Sequence, residues 1–213
     1  LPPGIEKSRV APPDAPEIRQ DLRNEYGLGA GDFMLLLIGS RFRTKGVDRA
    51  IKALSALPQQ HRDKTGLYIV GQDKPDRYIT LARRLGVEKN VYFLGGRSDI
   101  PRFLLGADLL IHPAYIENTG TVLIEAIAAG LPVLASQVCG YAGYVEDAGA
   151  GRLIPAPFVQ ETMNDQLASM LDRKELLIWQ SNALNYARSA DIFSLPEKAA
   201  DLIESVGLRK IPC

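Results

Sequence analysis

Short strand-like runs recur along the chain, with a helix-forming stretch after most of them, and the run at 33–38 is apolar at every position. A strand with one face in water would alternate apolar and polar residues, so an unbroken run belongs in a sheet covered on both sides. Sheets of that kind are parallel, with helical crossovers lying on the two faces. Residues 67–70, 91–94, 109–111, 132–135 and 152–154 supply the other strand candidates. Helices are expected at 17–26, closed by Gly27, and at 47–57, 77–85, 100–105 and 121–129. Val47, Ile51, Leu54 and Leu57 share one face of the second of these.

The pattern predicts an α/β fold: a Rossmann-like, doubly wound parallel six-stranded sheet in the common order 3-2-1-4-5-6. A helical C-terminal tail follows. Strand signals stop after residue 160, and three helical stretches remain, broken near Arg173 and at Ser194-Leu195-Pro196. The expected organisation is a single domain over 1–213, with a Pro-rich connector and first helix at 1–30, the sheet at 31–156 and the tail at 157–213. Leu1-Pro2-Pro3-Gly4 reads as a rigid turn in the interior of a longer protein.

Charge and cysteine usage narrow the function. The 25 basic residues are balanced by 25 acidic ones, so the footprint of a nucleic-acid binder is missing. Cys139 and Cys213 have no pairing spacing, which suits a reducing compartment and a small buried thiol at Cys139. No apolar run reaches the roughly 20 residues that span a bilayer, and a cytoplasmic location is the expectation.

Ligands of doubly wound sheets sit at the carboxyl ends of the strands where strand order reverses, here between the first and fourth strands. The loops at 39–46 and 112–120 carry the densest polar chemistry of the chain. Gly39 and Gly46 permit tight backbone geometry, and Arg41, Arg43 and Lys45 are cations. The second loop offers Glu117, an Asn118/Thr119 cap, and Gly120-Thr121 at the head of a helix. Helix N-termini attract phosphates, and carboxylates accept hydrogen bonds from sugar hydroxyls. Glu125 falls in the second turn of that helix, about 12 Å along the axis from Glu117 at 1.5 Å per residue. The two acids are thus expected to hold opposite ends of an extended ligand, with Lys45 and Glu125 meeting in one cleft around a diphosphonucleoside. Gly95-Gly96-Arg97 forms a third site, where Arg97 either reaches ribose or base or is a solvated loop residue. His112 is expected to be a core histidine satisfied by backbone or, alternatively, a group standing behind the contacts to the donor. His61 and the runs at 83–84 and 172–174 are expected at the surface, and Trp179 as the anchor of the tail.

At this point the residues match a known family. Glu117-x7-Glu125, Lys45-Gly46, Leu1-Pro2-Pro3-Gly4 and Gly130-Leu131-Pro132-Val133 resemble the family 4 retaining glycosyltransferases of the GT-B fold. The strings at 45–49, 70–75, 112–115, 138–142 and 194–201 are similar to the branch that glucosylates a heptose of the lipopolysaccharide core. The resemblance implies two Rossmann-like domains, of which this chain is the carboxyl, donor-binding half. It implies Lys45 on the donor phosphates, Glu117 on the transferred sugar, Glu125 on the ribose, and Gly120, Thr121 and Val122 as a backbone cradle. It also implies transfer of glucose from UDP-glucose to a heptose of the inner core with retention, and a lipid-linked acceptor met through the amino-terminal domain with peripheral contact at the inner membrane. The absence of an Asp-x-Asp motif fits a metal-independent reaction with no cofactor. Ser40 stands where many members have Arg, and Gly143 where many have an acid. Alternatives are a family member with another donor or acceptor, and a non-catalytic sugar-nucleotide module. A dinucleotide oxidoreductase would require a Gly-x-Gly-x-x-Gly after a strand, which is missing.

Overall fold

The computed structural model describes residues 2–207. Strand β1 is Phe33–Ile38, β2 Thr65–Val70, β3 Val91–Phe93, β4 Leu109–His112, β5 Val133–Ser136 and β6 Gly151–Ile154. All pair in parallel, in the order β3-β2-β1-β4-β5-β6. The apolar run of β1 is explained by where its side chains go. Phe33, Leu35 and Leu37 enter one core, and Met34 and Leu36 enter the other, as a period of two dictates.

Helix α1 (Ala15–Glu25), with Pro16 in its first turn, ends at Tyr26, and Gly27 follows at φ 66°. After β1 come a single turn, α2 (Phe42–Lys45), and then α3 (Val47–Ala56), with Gly46 at φ 73° between them. Helix α4 (Gln59–Arg62) leads into β2, α5 (Asp76–Arg84) follows β2, and α6 (Ile100–Gly106) follows β3. Helix α7 (Thr121–Ala128) follows β4, and α8 (Ala142–Asp147) follows β5. The tail is α9 (Gln160–Met170), α10 (Arg173–Ser189) and α11 (Leu195–Gly207). Met163, Leu167, Met170 and Trp179 join the same core as α3, so the tail packs on the sheet through Trp179 as the sequence suggested. Leu202, Ile203 and Val206 of α11 stay exposed. Among the described residues no helix is long and apolar enough to cross a membrane.

The sequence boundaries hold to within two residues, and the elements it missed are the one-turn helices α2 and α4, the short α8, and the 3-10 turns Lys7–Arg9 and Glu88–Asn90. Arg173 is corrected from a surface residue to a structural one. Its guanidinium donates to Asp108 Oδ1 at 2.6 Å and to Asp32 O at 2.5 Å, and it lies over the Phe33 ring. Arg19 and Arg23 of α1 also pair with Asp108, at 2.5 and 2.9 Å, and Met34 N–H donates to it. Burial alone would push the Asp108 carboxyl up, but Arg19, the Met34 N–H, Arg173 and Arg23 outweigh it and hold the group below its ordinary value. This carboxylate ties α1 and α10 to the amino-terminal edge of β4, opposite the ligand end of the sheet. His61 is likewise half-buried, stacked at 6.4 Å on Phe33.

Candidate functional site

At the carboxyl end of the sheet, three loops interlock. Gly46 lies against the loop after β4 so closely that a Cβ there would stand 2.0 Å from Pro113 O, and Tyr115 N–H donates to Thr44 O at 2.8 Å. The loop after β5 closes from the other side. Glu117 forms a parallel bridge with Cys139, and Tyr141 N–H donates to Thr119 O at 2.7 Å. Gly140 leaves its Cβ position to Asn118 O, which would be 2.1 Å away. These contacts fix the backbone at the point where strand order reverses, between β1 and β4.

The side chains of that seam form one cluster. Lys45, the last residue of α2, crosses the face of Gly39, where a Cβ would meet Lys45 Cε at 2.8 Å, and its ammonium pairs with Glu117 Oε2. His112, the last residue of β4 and fully buried, brings Nε2 to 3.1 Å from the same oxygen. The His112 hydrogen bond and the Lys45 ammonium outweigh burial and hold the Glu117 carboxyl down at about 2. Glu117 is therefore ionised at neutral pH. Cys139 is the buried thiol the sequence suggested, pushed up to about 12 by burial and by the Glu117 charge.

Helix α7 begins beside this cluster. Its N-cap is Gly120 at φ 80°, with no side-chain cap, which corrects the Asn118/Thr119 cap expected from sequence. A capping oxygen would occupy the first N–H groups, whereas a left-handed glycine leaves those of Thr121 and Val122 open to a ligand. Thr119 and Thr121 are exposed and Val122 is half-buried.

Glu125 lies one turn further down α7, largely buried, and pairs with Arg9 of the connector at 3.3 Å. Burial pushes its carboxyl up, with Arg9 opposing. Lys45 and Glu125, expected to share one cleft around a diphosphonucleoside, are engaged by different partners: Lys45 pairs with Glu117 and Glu125 with Arg9. Over the ends of β1, β2 and β3 lies a cavity of about 530 Å³ lined by Gly39, Ser40, Gln72, Gly96, Arg97 and Ser98. Arg97 borders it but is held by Asp99 through two hydrogen bonds of 2.9 and 2.8 Å. Ser40 accepts from Gln72 N–H at 3.2 Å, and Arg41 takes the left-handed conformation at φ 60° before α2.

Arg9 is the contact of this site that sequence reasoning missed, while His112 is corrected from a core histidine satisfied by backbone to the alternative reading, a group near the donor site bonded to Glu117. His112 carried a usable signal, being the residue that ends a buried strand five positions before Glu117. Arg9 carried none, since its partner is 116 positions away. Among the described residues no group of three His, Cys, Asp or Glu side chains is placed to hold a metal ion.

The arrangement can grip a diphosphate with a cation and a helix terminus, and hydroxyls with two carboxylates. Comparison with known proteins gives the family. Lipopolysaccharide glucosyltransferase WaaG of Escherichia coli (strain K12) is 48% identical over 95% of this chain and 54% of its own length. The WaaG crystal structure superimposes with a TM-score of 0.91, covering 95% of this chain and 55% of that one. Anabaena Alr3699/HepE, solved in complex with UDP-glucose, superimposes with a TM-score of 0.80 at 27% identity, over 95% of this chain and 56% of that one. D-inositol 3-phosphate glycosyltransferase of Nocardia farcinica (strain IFM 10152) is 31% identical over 96% of this chain and 46% of its own length. The chain thus spans about half the length of the relatives it matches. Residues 18–189 match the family described as Glycosyl transferases group 1, and the chain belongs to that family.

Proposed function

We propose that this chain is the donor-binding half of a two-domain retaining glycosyltransferase, which moves glucose from UDP-glucose to a heptose of the lipopolysaccharide inner core. The observation that carries this reading is the junction of the two switch-point loops through Lys45 and Glu117, at the head of an uncapped helix. The identity to WaaG supports the choice of donor and acceptor.

In this reading the nucleotide lies across the sheet end. Its base enters the cavity beside Gly39 and Arg97, its ribose hydroxyls reach Glu125, and its diphosphate lies over the N–H groups of Thr121 and Val122. Cleavage of the bond from sugar to phosphate places a further negative charge on the leaving UDP. Lys45 and the positive end of α7 stand where that charge grows, and each well-aimed donor of this kind lowers the barrier by about 3 kcal/mol. No metal ion is part of the proposal. The Glu117 carboxylate accepts from hydroxyls of the transferred glucose and orients its anomeric carbon.

The acceptor, a lipid-linked core oligosaccharide, comes from the amino-terminal half, at the cytoplasmic face of the inner membrane. Thr119 and Gly120 shape the mouth of the cradle. A donor screen of the full-length enzyme, with the anomeric configuration of the product read by NMR, tests the reading. Glucose transfer from UDP-glucose with retention is the expected result, and preference for another donor or inversion would refute it.

A further inference from the structure

We propose that His112 is a positioning residue for Glu117, the fixed donor that keeps its carboxylate aimed at the sugar after Lys45 turns to the diphosphate. The proposal rests on the role given to Glu117 above. Lys45 and His112 share Oε2, and no described residue bonds Oε1, so that oxygen is left for a ligand hydroxyl. The two anchors differ in rigidity. Lys45 ends a one-turn helix on a four-carbon stem, and its ammonium is the group that an incoming diphosphate would attract. His112 is part of β4, between β1 and β5, with its backbone in register with Ala135 and no exposed surface. A ring so enclosed cannot follow the ligand.

The chemistry of the ring points the same way. A carboxylate offers lone pairs only, so Nε2 must carry the proton in this bond. In the neutral ring Nδ1 is then a bare nitrogen, and it is buried with no hydrogen-bond partner. Leaving a polar atom buried and unpaired costs free energy that an apolar residue would avoid. The one polar contact that the ring makes is therefore the one that explains its presence, and it is to Glu117. The other groups facing this carboxylate are Lys45 and Cys139. The His112 bond is also the largest single cause keeping Glu117 ionised.

His112→Gln keeps an N–H donor near the position of Nε2, and His112→Phe removes it. In the full-length enzyme His112→Phe is expected to lower kcat about ten- to hundredfold, the worth of a hydrogen bond to a charged group. UDP affinity should stay within about threefold, and His112→Gln should recover most of the loss. In this chain, ¹³C NMR should show the Glu117 carboxyl titrating higher in His112→Phe than in the parent, with His112→Gln between them. Where His112→Phe fails to fold, ¹⁵N NMR of the parent decides, since the proposal requires the proton on Nε2. Unchanged kcat in His112→Phe, equal loss in both variants with an unmoved Glu117 titration, or a ring with its proton on Nδ1 and none on Nε2 would each overturn it. Failure of the unaltered enzyme to transfer glucose would refute the function proposed above, while the two NMR measurements would still decide this assignment.

Discussion

Gly46→Ala should separate the two loops that build the site, and its cost can be worked from the contact it makes. Two terms add. An alanine at φ 73° sits in the left-handed region, at a cost of about 1 kcal/mol relative to glycine. Its Cβ would also stand 2.0 Å from Pro113 O and 2.8 Å from Pro113 C. Both are backbone atoms, so relief requires moving the loop after β4 by roughly an ångström, a distortion of about 2–3 kcal/mol. Gly86→Ala is the control. It has nearly the same torsion, φ 72°, and nothing within 4 Å of the added carbon, so it carries the first term alone. With a urea slope of about 2.5 kcal/mol per molar, Gly86→Ala should lower the unfolding midpoint by about 0.4 M and Gly46→Ala by about 1.2–1.6 M. Only Gly46→Ala should also weaken UDP binding, because Lys45 is the adjacent residue. Equal midpoint shifts in the two variants would refute the claim that close packing of Gly46 on Pro113 joins the loops.

Three further outcomes are expected. Asp108→Ala removes the carboxylate shared by Arg19, Arg23 and Arg173 and leaves the buried Arg23 without its counter-charge, the other two being partly screened by solvent, so chemical denaturation should show a loss of about 2–3 kcal/mol; a loss under about 1 kcal/mol would show that the arginines find other partners. The Glu117 carboxyl is held at about 2 in the folded chain, below its ordinary 4.5. Its contribution to stability is thus complete above about pH 4.5 and disappears as pH falls towards 2. Glu117→Gln should flatten that part of the acid unfolding curve, and an unchanged curve would contradict the assignment. Glu125 is pushed up by burial with Arg9 opposing, and ribose hydroxyls need the carboxylate form as acceptor. UDP affinity should therefore fall as pH drops through the Glu125 titration, and Arg9→Ala should move that fall to higher pH, which calorimetry across pH would detect.

The sheet was legible because most strands centre on a dense apolar run, β1 above all, and are separated by helix-forming stretches, signals that need no tertiary context. Residues 42–45 and 59–62 form single turns, too short to show a period of 3.6, so they read as loop. The loops carrying Lys45 and Glu117 could be placed together because strand order alone brings them to the switch point. Their partners could not. The Arg9–Glu125 pair, the three arginines on Asp108 and the His112 bond to Glu117 depend on which side chains meet once the sheet has formed. Sequence spacing does not encode that. The cap expected at Asn118/Thr119 failed for a local reason: Gly120 takes the left-handed conformation and becomes the cap itself.

The central claim is that Lys45 and Glu125, paired in the structure with Glu117 and Arg9, hold the two ends of one nucleotide. Isothermal titration of UDP into the chain and into Lys45→Ala and Glu125→Ala tests it most directly. The account predicts one binding site per chain, weakened about tenfold or more by either substitution. UDP affinity unchanged in both variants would contradict it.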